Sequence, residues 1–203
     1  MDEPLVSMSP NLPDSPPPFK VAAFYKFTRP AAVAGWQQAL AGFCCAQRIR
    51  GTILVAAEGI NGTVAGTDMA IDELFAFLRA DPVFAGQLAD LEPKFSTAAT
   101  IPFHRLKVRI KEEIVTLRAP EADPSQKVGT YVAPGDWNAL IAEPGVTLID
   151  TRNDYEVRLG SFAGATNPQT ESFTGFKDYV VANLDPARDR KVAMFCTGGI
   201  RCE

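Results

Sequence analysis

The sequence predicts an α+β first domain followed by an α/β domain built on a parallel sheet with helices on both faces. Three observations carry this reading. Between residues 19 and 118, short β-rich stretches and two amphipathic helical patterns follow one another in the order β-α-β-β-α-β, which is the ferredoxin-like arrangement. From residue 128 onward strand and helix patterns alternate one for one, and alternation of that kind implies parallel strands joined by helical crossovers. Residues 119–127 between them are polar and turn-rich, as a linker is. A length of 203 residues leaves room for one large or two small domains.

The elements follow in order. Residues 1–18 hold six prolines and little that could enter a core, so a disordered tail is expected there. Lys20–Phe27 has strand composition. Thr28 offers an N-cap and Pro30 an early helical position. Val33, Trp36, Leu40, Phe43 and Cys44 then recur at helical spacing, which predicts a helix over 31–47. Gly51–Gly66 reads as two strands around Asn61-Gly62, a dipeptide suited to the positive φ angles of a hairpin turn. Thr67 is placed to cap a second helix with Ile71, Leu74, Phe75 and Leu78 on one face, and a loop with a short helical turn follows. His104–Ile110 alternates and closes the first domain as a strand. In the second domain, residues 130–134 read as a short strand, Asp136–Glu143 as a helix and Val146–Asp150 as a buried strand. A short helix, a helix over Phe173–Leu184 and a strand over Lys191–Cys196 complete the pattern.

Composition bounds the function. Hydrophobic residues make up 46% and charged residues 22% of the chain, as in soluble globular proteins. The net charge of −4 excludes a uniformly basic nucleic-acid binder, so any such contact must come from a local patch, and DNA is not expected as a partner. No apolar run reaches the roughly 18 residues of a membrane span. The N-terminus lacks the basic and apolar regions of a secretory signal. Four cysteines without framework spacing imply free thiols in a reducing compartment, with the cytoplasm as the default. No metal-ligand cluster and no dinucleotide or Walker glycine pattern occurs, so no cofactor is evident.

The segment VAMFCTGGIRCE, Val192–Glu203, carries the chemistry. An apolar strand ends at Cys196, and Thr197, Gly198, Gly199, Ile200 and Arg201 complete a six-residue loop. A thiol becomes a nucleophile as its thiolate, and positive potential lowers its pKa from about 8.5. Inward-pointing N–H groups of a glycine-rich turn supply such potential, and an arginine fork can hold an anion there. Cysteine-x4-arginine spacing alone is cheap, because Cys45 to Arg50 has it too. That copy crosses a helix end without glycine or a preceding strand, so it cannot wrap an anion in the same way. A buried strand cysteine is the bland alternative for Cys196. In open parallel sheets, sites lie at the carboxyl ends of strands, which is where Cys196 stands.

A second feature is cationic. Lys94 to Lys111 contains five basic residues and no acidic one. Arg105, Lys107, Arg109 and Lys111 alternate with Leu106, Val108 and Ile110, so a strand would carry one basic and one apolar face. Backbone phosphates suit that basic face; taken without any resemblance, the blander reading is the solvated outer face of a two-layer sheet. Lesser candidates remain. Asp150 and Arg152 stand at a strand end, where they orient the loop or act in it. Cys202 is either a resolving thiol or a packing residue. Cys44 and Cys45 belong to the core or its boundary, and His104 beside the basic strand is read as structural or phosphate-adjacent rather than catalytic.

Residues 147–168 and 195–202 resemble the rhodanese family. The matching positions are Asp150, Arg152, Glu156, Gly164, Ala165, Asn167 and Pro168, together with the six-residue loop from Cys196 to Arg201. Related phosphatases use a loop one residue longer. Gly160-Ser161-Phe162 stands where many rhodaneses carry Gly-His-Ile, which argues against simple thiosulfate sulfurtransferase activity. A fuller resemblance combines EGINGT (58–63), RLKVRIKEEIVTL (105–117), DTRNDYEVRLG (150–160) and CTGGIRCE (196–203). Together these are similar to the bacterial tRNA uridine hydroxylase family, in which a ferredoxin- or acylphosphatase-like domain precedes a rhodanese domain.

That resemblance implies hydroxylation of the wobble uridine (position 34) to 5-hydroxyuridine, with molecular oxygen as co-substrate and the tRNA anticodon region as partner. The family's required cysteine falls on Cys196, and the RNA-binding role falls on Arg105, Lys107, Arg109 and Lys111. Two alternatives stand beside it: a sulfurtransferase carrying a persulfide on Cys196, and a non-enzymatic rhodanese-like binding module. A rhodanese sheet continues beyond this loop with a helix, a strand and a closing helix, whereas here Cys202 and Glu203 follow. The rhodanese-like domain over 128–203 is therefore expected to be incomplete, C-terminally truncated, with a weakened site and an exposed apolar sheet.

Overall fold

The computed structural model describes residues 19–203; the tail expected at 1–18 lies outside the described residues. The first 92 described positions fold around one apolar cluster. Strand β1 (Phe19–Phe27) is followed by helix α1 (Val33–Ala46), β2 (Arg50–Ala56), β3 (Gly59–Gly66), α2 (Asp68–Ala80) and a 3-10 turn (Pro82–Phe84). Strands β4 (Lys94–Ala98) and β5 (Leu106–Ile110) complete a five-stranded sheet of order β4-β1-β3-β2-β5. The two helices cover one face. Ala22, Phe24, Ile53, Val55, Ile60 and Val64 point toward Trp36, Leu40, Ile71, Leu74 and Leu78 of the helices, all buried. Strand side chains alternate between faces, so Tyr25, Ala23, Thr63, Thr52 and Lys107 share the opposite, helix-free face.

Four expectations are corrected. The hairpin turn falls at Ala57-Glu58, and Asn61-Gly62 lies inside β3, opposite Tyr25 and Phe24 of β1. Gly62 is required by the close approach of the Phe24 ring, since a Cβ there would sit 2.6 Å from Cζ. Asn61 uses its amide to donate to the Ile114 carbonyl at 2.8 Å. Thr28 is not a helix cap: α1 begins at Val33, and the Thr28 N–H donates to Glu58 O at 2.9 Å, tying β1's end to the turn. The strand that completes the β-α-β-β-α-β order is β4, which the alternation did not reveal; the basic segment is an additional strand, parallel to β2 on the far edge. Finally, residues 130–134 form no strand, and Pro134 instead starts a helix.

The helix expected at 31–47 and the capped helix after Thr67 are present, and the Thr67 hydroxyl accepts from Ala70 N at 3.2 Å. The remaining elements are α3 (Pro134–Ile141), β6 (Val146–Asp150), α4 (Asp154–Val157), α5 (Thr174–Asn183) and β7 (Lys191–Phe195). Strands β6 and β7 pair in parallel, with Asp150 level with Phe195, so both strands deliver their carboxyl ends to one edge. Trp137 of α3 packs with Phe162 and Phe195 against this small sheet. Lys177 of α5 reaches the connecting segment through Glu121 at 2.8 Å.

Candidate active site

The site forms where β7 ends. Leaving the strand, the backbone turns through Gly198 and Gly199 and enters a 3-10 turn over Ile200–Cys202. Gly199 takes φ +99°, a conformation few residues other than glycine adopt. The turn brings the Gly199 N–H to 2.9 Å from Cys196 Sγ. The Cys196 pKa falls to about 5: the Cys202 thiol donates to it most strongly, burial opposes ionisation, and the N–H groups of Arg201, Gly199 and Gly198 add to the fall. The Cys202 pKa is raised in turn, first because its proton is shared with the Cys196 thiolate and then by burial. The two thiols titrate as a pair, and the inward N–H groups of the loop favour the thiolate on Cys196.

Arg201 behaves differently from an open anion fork. Its two terminal nitrogens donate to the two oxygens of Glu156 at 2.7 and 2.8 Å. Glu156 also accepts from Thr197 Oγ1 at 3.0 Å and from Asn153 N at 3.1 Å. Arg201 holds the Glu156 carboxyl down at about pKa 2. Glu156, on α4, thus anchors both ends of the loop. In the sequence Glu156 stands only as one position of the rhodanese-like pattern, because an acidic residue opening a helix has ordinary uses that mask this task.

Asp150 and Arg152 form a separate supporting pair. Arg152 donates from Nε and Nη2 to the two carboxylate oxygens at 2.9 and 2.6 Å, and Ser161 Oγ adds a bond at 2.8 Å. Burial of Asp150, which is fully enclosed, works to raise its pKa, but these donors outweigh it and leave the carboxyl below its usual range. Asp150 therefore orients Arg152 rather than the loop. Arg152 lies over the Phe195 ring and, with Phe162, Phe195, Cys196 and Thr197, borders a pocket of about 370 Å³. That volume is in the range of small-ligand sites. No group of three or more His, Cys, Asp or Glu side chains converges among the described residues.

The other candidates separate cleanly. Lys107 and Arg109 lie on the helix-free face of β5, while Leu106 and Val108 pack on the core. Arg105 and Lys111 are exposed on either side of the strand. At about 4.8 Å per strand, β5 runs about 14 Å from β1 across the sheet, so these cations do not enter the cysteine loop. Lys94 does: it sits on β4 and donates to the Gly198 carbonyl at 2.8 Å. Cys44 is buried and burial pushes its pKa up to about 12, whereas Cys45 is an exposed thiol at the end of α1. No helix among the described residues is long and apolar enough to cross a membrane.

The family model described as the UPF0176 acylphosphatase-like domain matches residues 19–114. Over 185 residues, 91% of its length, the chain is 57% identical to a tRNA uridine(34) hydroxylase of Picosynechococcus sp.. It is 54% identical over 196 residues to the protein of that name from Mesorhizobium japonicum, and 54% identical over 184 residues to that from Nitrobacter winogradskyi. It spans 61% and 62% of the first two proteins and 72% of the third.

Proposed function

Because the chain belongs to the tRNA uridine(34) hydroxylase family, we propose that it carries that family's catalytic thiolate, Cys196, and acts in the cytoplasm on the wobble uridine of tRNA to give 5-hydroxyuridine. The observation that carries the reading is the Cys196 loop, where the Gly199 N–H donates to the sulfur at 2.9 Å and the loop N–H groups and the Cys202 thiol lower the Cys196 pKa. In this reading residues 19–118 dock RNA, 119–127 connect, and 128–203 present a rhodanese-like loop. Arg105, Lys107, Arg109 and Lys111 meet phosphates, which position RNA without reading its sequence. The base leaves its stack to reach the sulfur. The pocket beside Cys196 supports this, because Phe162 is partly exposed at its edge and offers an unpaired base an aromatic surface.

Replacing the C5–H of uracil by C5–OH with dioxygen takes two electrons from a separate two-electron reductant, together with two protons, and releases the second oxygen atom as water. Arg201, Glu156, Asp150 and Arg152 hold the loop and the pocket wall while this occurs. Cys196→Ser is expected to abolish 5-hydroxyuridine in tRNA from cells lacking their own enzyme, read by nucleoside mass spectrometry. Undiminished modification would refute the assignment. A second reading is favoured by the six-residue loop, which is the length of a sulfurtransferase cradle: Cys196 would then carry a persulfide. Thiocyanate formation from thiosulfate and cyanide, with tRNA left unmodified, would select it. Biological activity that survives Cys196→Ser would point to a non-enzymatic binding module.

A further inference from the structure

The Cys196 cradle is completed by a strand that is remote in sequence. Lys94 lies on β4, at the edge of the first sheet, on the same face as Ala23, its register partner, and Tyr25. Its ammonium donates to the carbonyl oxygen of Gly198 at 2.8 Å, across 104 positions of chain. That carbonyl and the Gly199 N–H are the two ends of one planar peptide unit. The N–H end donates to Cys196 Sγ at 2.9 Å. A cation on the oxygen and a thiolate on the hydrogen therefore act on one unit from opposite sides. Linked hydrogen bonds of this kind polarise one another and strengthen each member. The ammonium also fixes the plane of a Gly-Gly peptide, which has the least intrinsic preference of any.

Tyr25 closes the same side. A Cβ at Gly199 would meet the Tyr25 hydroxyl at 2.8 Å and Lys94 Nζ at 3.5 Å. Tyr25 and Tyr131 both donate to Glu203 Oε1, and burial followed by Glu203 raises the Tyr25 pKa, so its hydroxyl stays a proton donor. A cleft of about 320 Å³ has Tyr25, Lys94, Cys196, Gly199, Cys202 and Glu203 in its walls. The charged and titratable groups around Cys196 are therefore Cys202, Arg201 with Glu156, Arg152 with Asp150, Tyr131 with Glu203, and, from the first sheet, Lys94 and Tyr25.

We infer that Lys94 is a positioning residue of the cradle: from the first sheet it holds the Gly198–Gly199 peptide with its N–H aimed at the Cys196 sulfur, and Tyr25 backs that peptide. The inference rests on Cys196 being the working thiolate and deepens that reading. It makes full nucleophilicity a property of the two sheets together.

The test is the pH dependence of Cys196 alkylation by iodoacetamide in the full chain, followed by peptide mass spectrometry so that the other three cysteines are read separately. In Lys94→Met the inflection is expected to rise by about one unit, with far-ultraviolet circular dichroism unchanged. Lys94→Arg, which keeps the cation, is expected to restore it. If the methionine variant does not fold, Lys94→Ala, which removes both the donor and the charge, must also raise the inflection. An unmoved inflection in either folded variant overturns the inference. The assay needs neither tRNA nor oxygen. A Cys196→Ser chain that still makes 5-hydroxyuridine would therefore remove the functional reading and leave the alkylation result to stand.

Discussion

Cys196 loses its proton near pH 5 because Cys202 gives it a hydrogen bond and the loop N–H groups point inward. Its alkylation rate should accordingly be flat through neutral pH and fall as pH drops through about 5, which stopped-assay mass spectrometry will read. Cys202→Ala removes the strongest contribution and is expected to move that inflection upward. Glu156 obeys a second linkage. Its carboxyl is held at about 2 against an ordinary value of 4.5, so its contribution to stability is complete above 4.5 and is lost as pH falls toward 2. Glu156→Gln should cost about 2 kcal/mol at neutral pH and flatten the acid limb of stability measured by urea unfolding. Phe162 at the pocket edge was visible in the sequence only as a departure from the rhodanese-like pattern. On the proposed function Phe162 stacks the base, so Phe162→Ala should raise the tRNA concentration needed for half-maximal modification by the equivalent of about 1–3 kcal/mol.

Elements show where local pattern and packing part company. The periodicity of α1 and α2 was legible because each helix buries one stripe: Trp36, Leu40 and Cys44 on the first, Ile71, Leu74, Phe75 and Leu78 on the second. The Thr67 cap was legible because its bond is to a residue three positions on; Thr67→Ala should cost about 1 kcal/mol in thermal or urea unfolding. The Asn61-Gly62 pair misled because the demand on Gly62 comes from Phe24, 38 positions away and facing it across the strand pair. Gly62→Ala should therefore destabilise by about 1–3 kcal/mol through overpacking, and it should do so without changing the turn at Ala57-Glu58. Strand β4 leaves little trace in the sequence because its residues, from Lys94 to Ala98, carry little apolar alternation; it is held by pairing with β1.

At the scale of the whole molecule, the chemistry and the basic strand lie toward opposite edges of one sheet. The cysteine loop touches β1 and β4, while Lys107 and Arg109 ride on β5. A docked RNA would have to cross the helix-free face to use both. Charge reversal of Lys107 and Arg109 should weaken tRNA binding and reduce the slope of log affinity against log salt by about 1–2, measured by filter binding at several salt concentrations; an unchanged slope would exclude β5 from the interface. The sequence by itself determined the two amphipathic helices, the parallel strand pair and the loop from Cys196 to Arg201 with the family it resembles. Each of these depends on residues close together in the chain, through periodicity, capping and glycine turns. Only the tertiary structure decided that Glu156 occupies the Arg201 fork, that Asp150 serves Arg152, and that Lys94 grips the peptide whose N–H faces the sulfur. Those contacts depend on strand register and on how the two sheets meet, and a side chain's charge or hydrogen-bonding capacity does not name its partner until the backbone has brought the two within 3 Å.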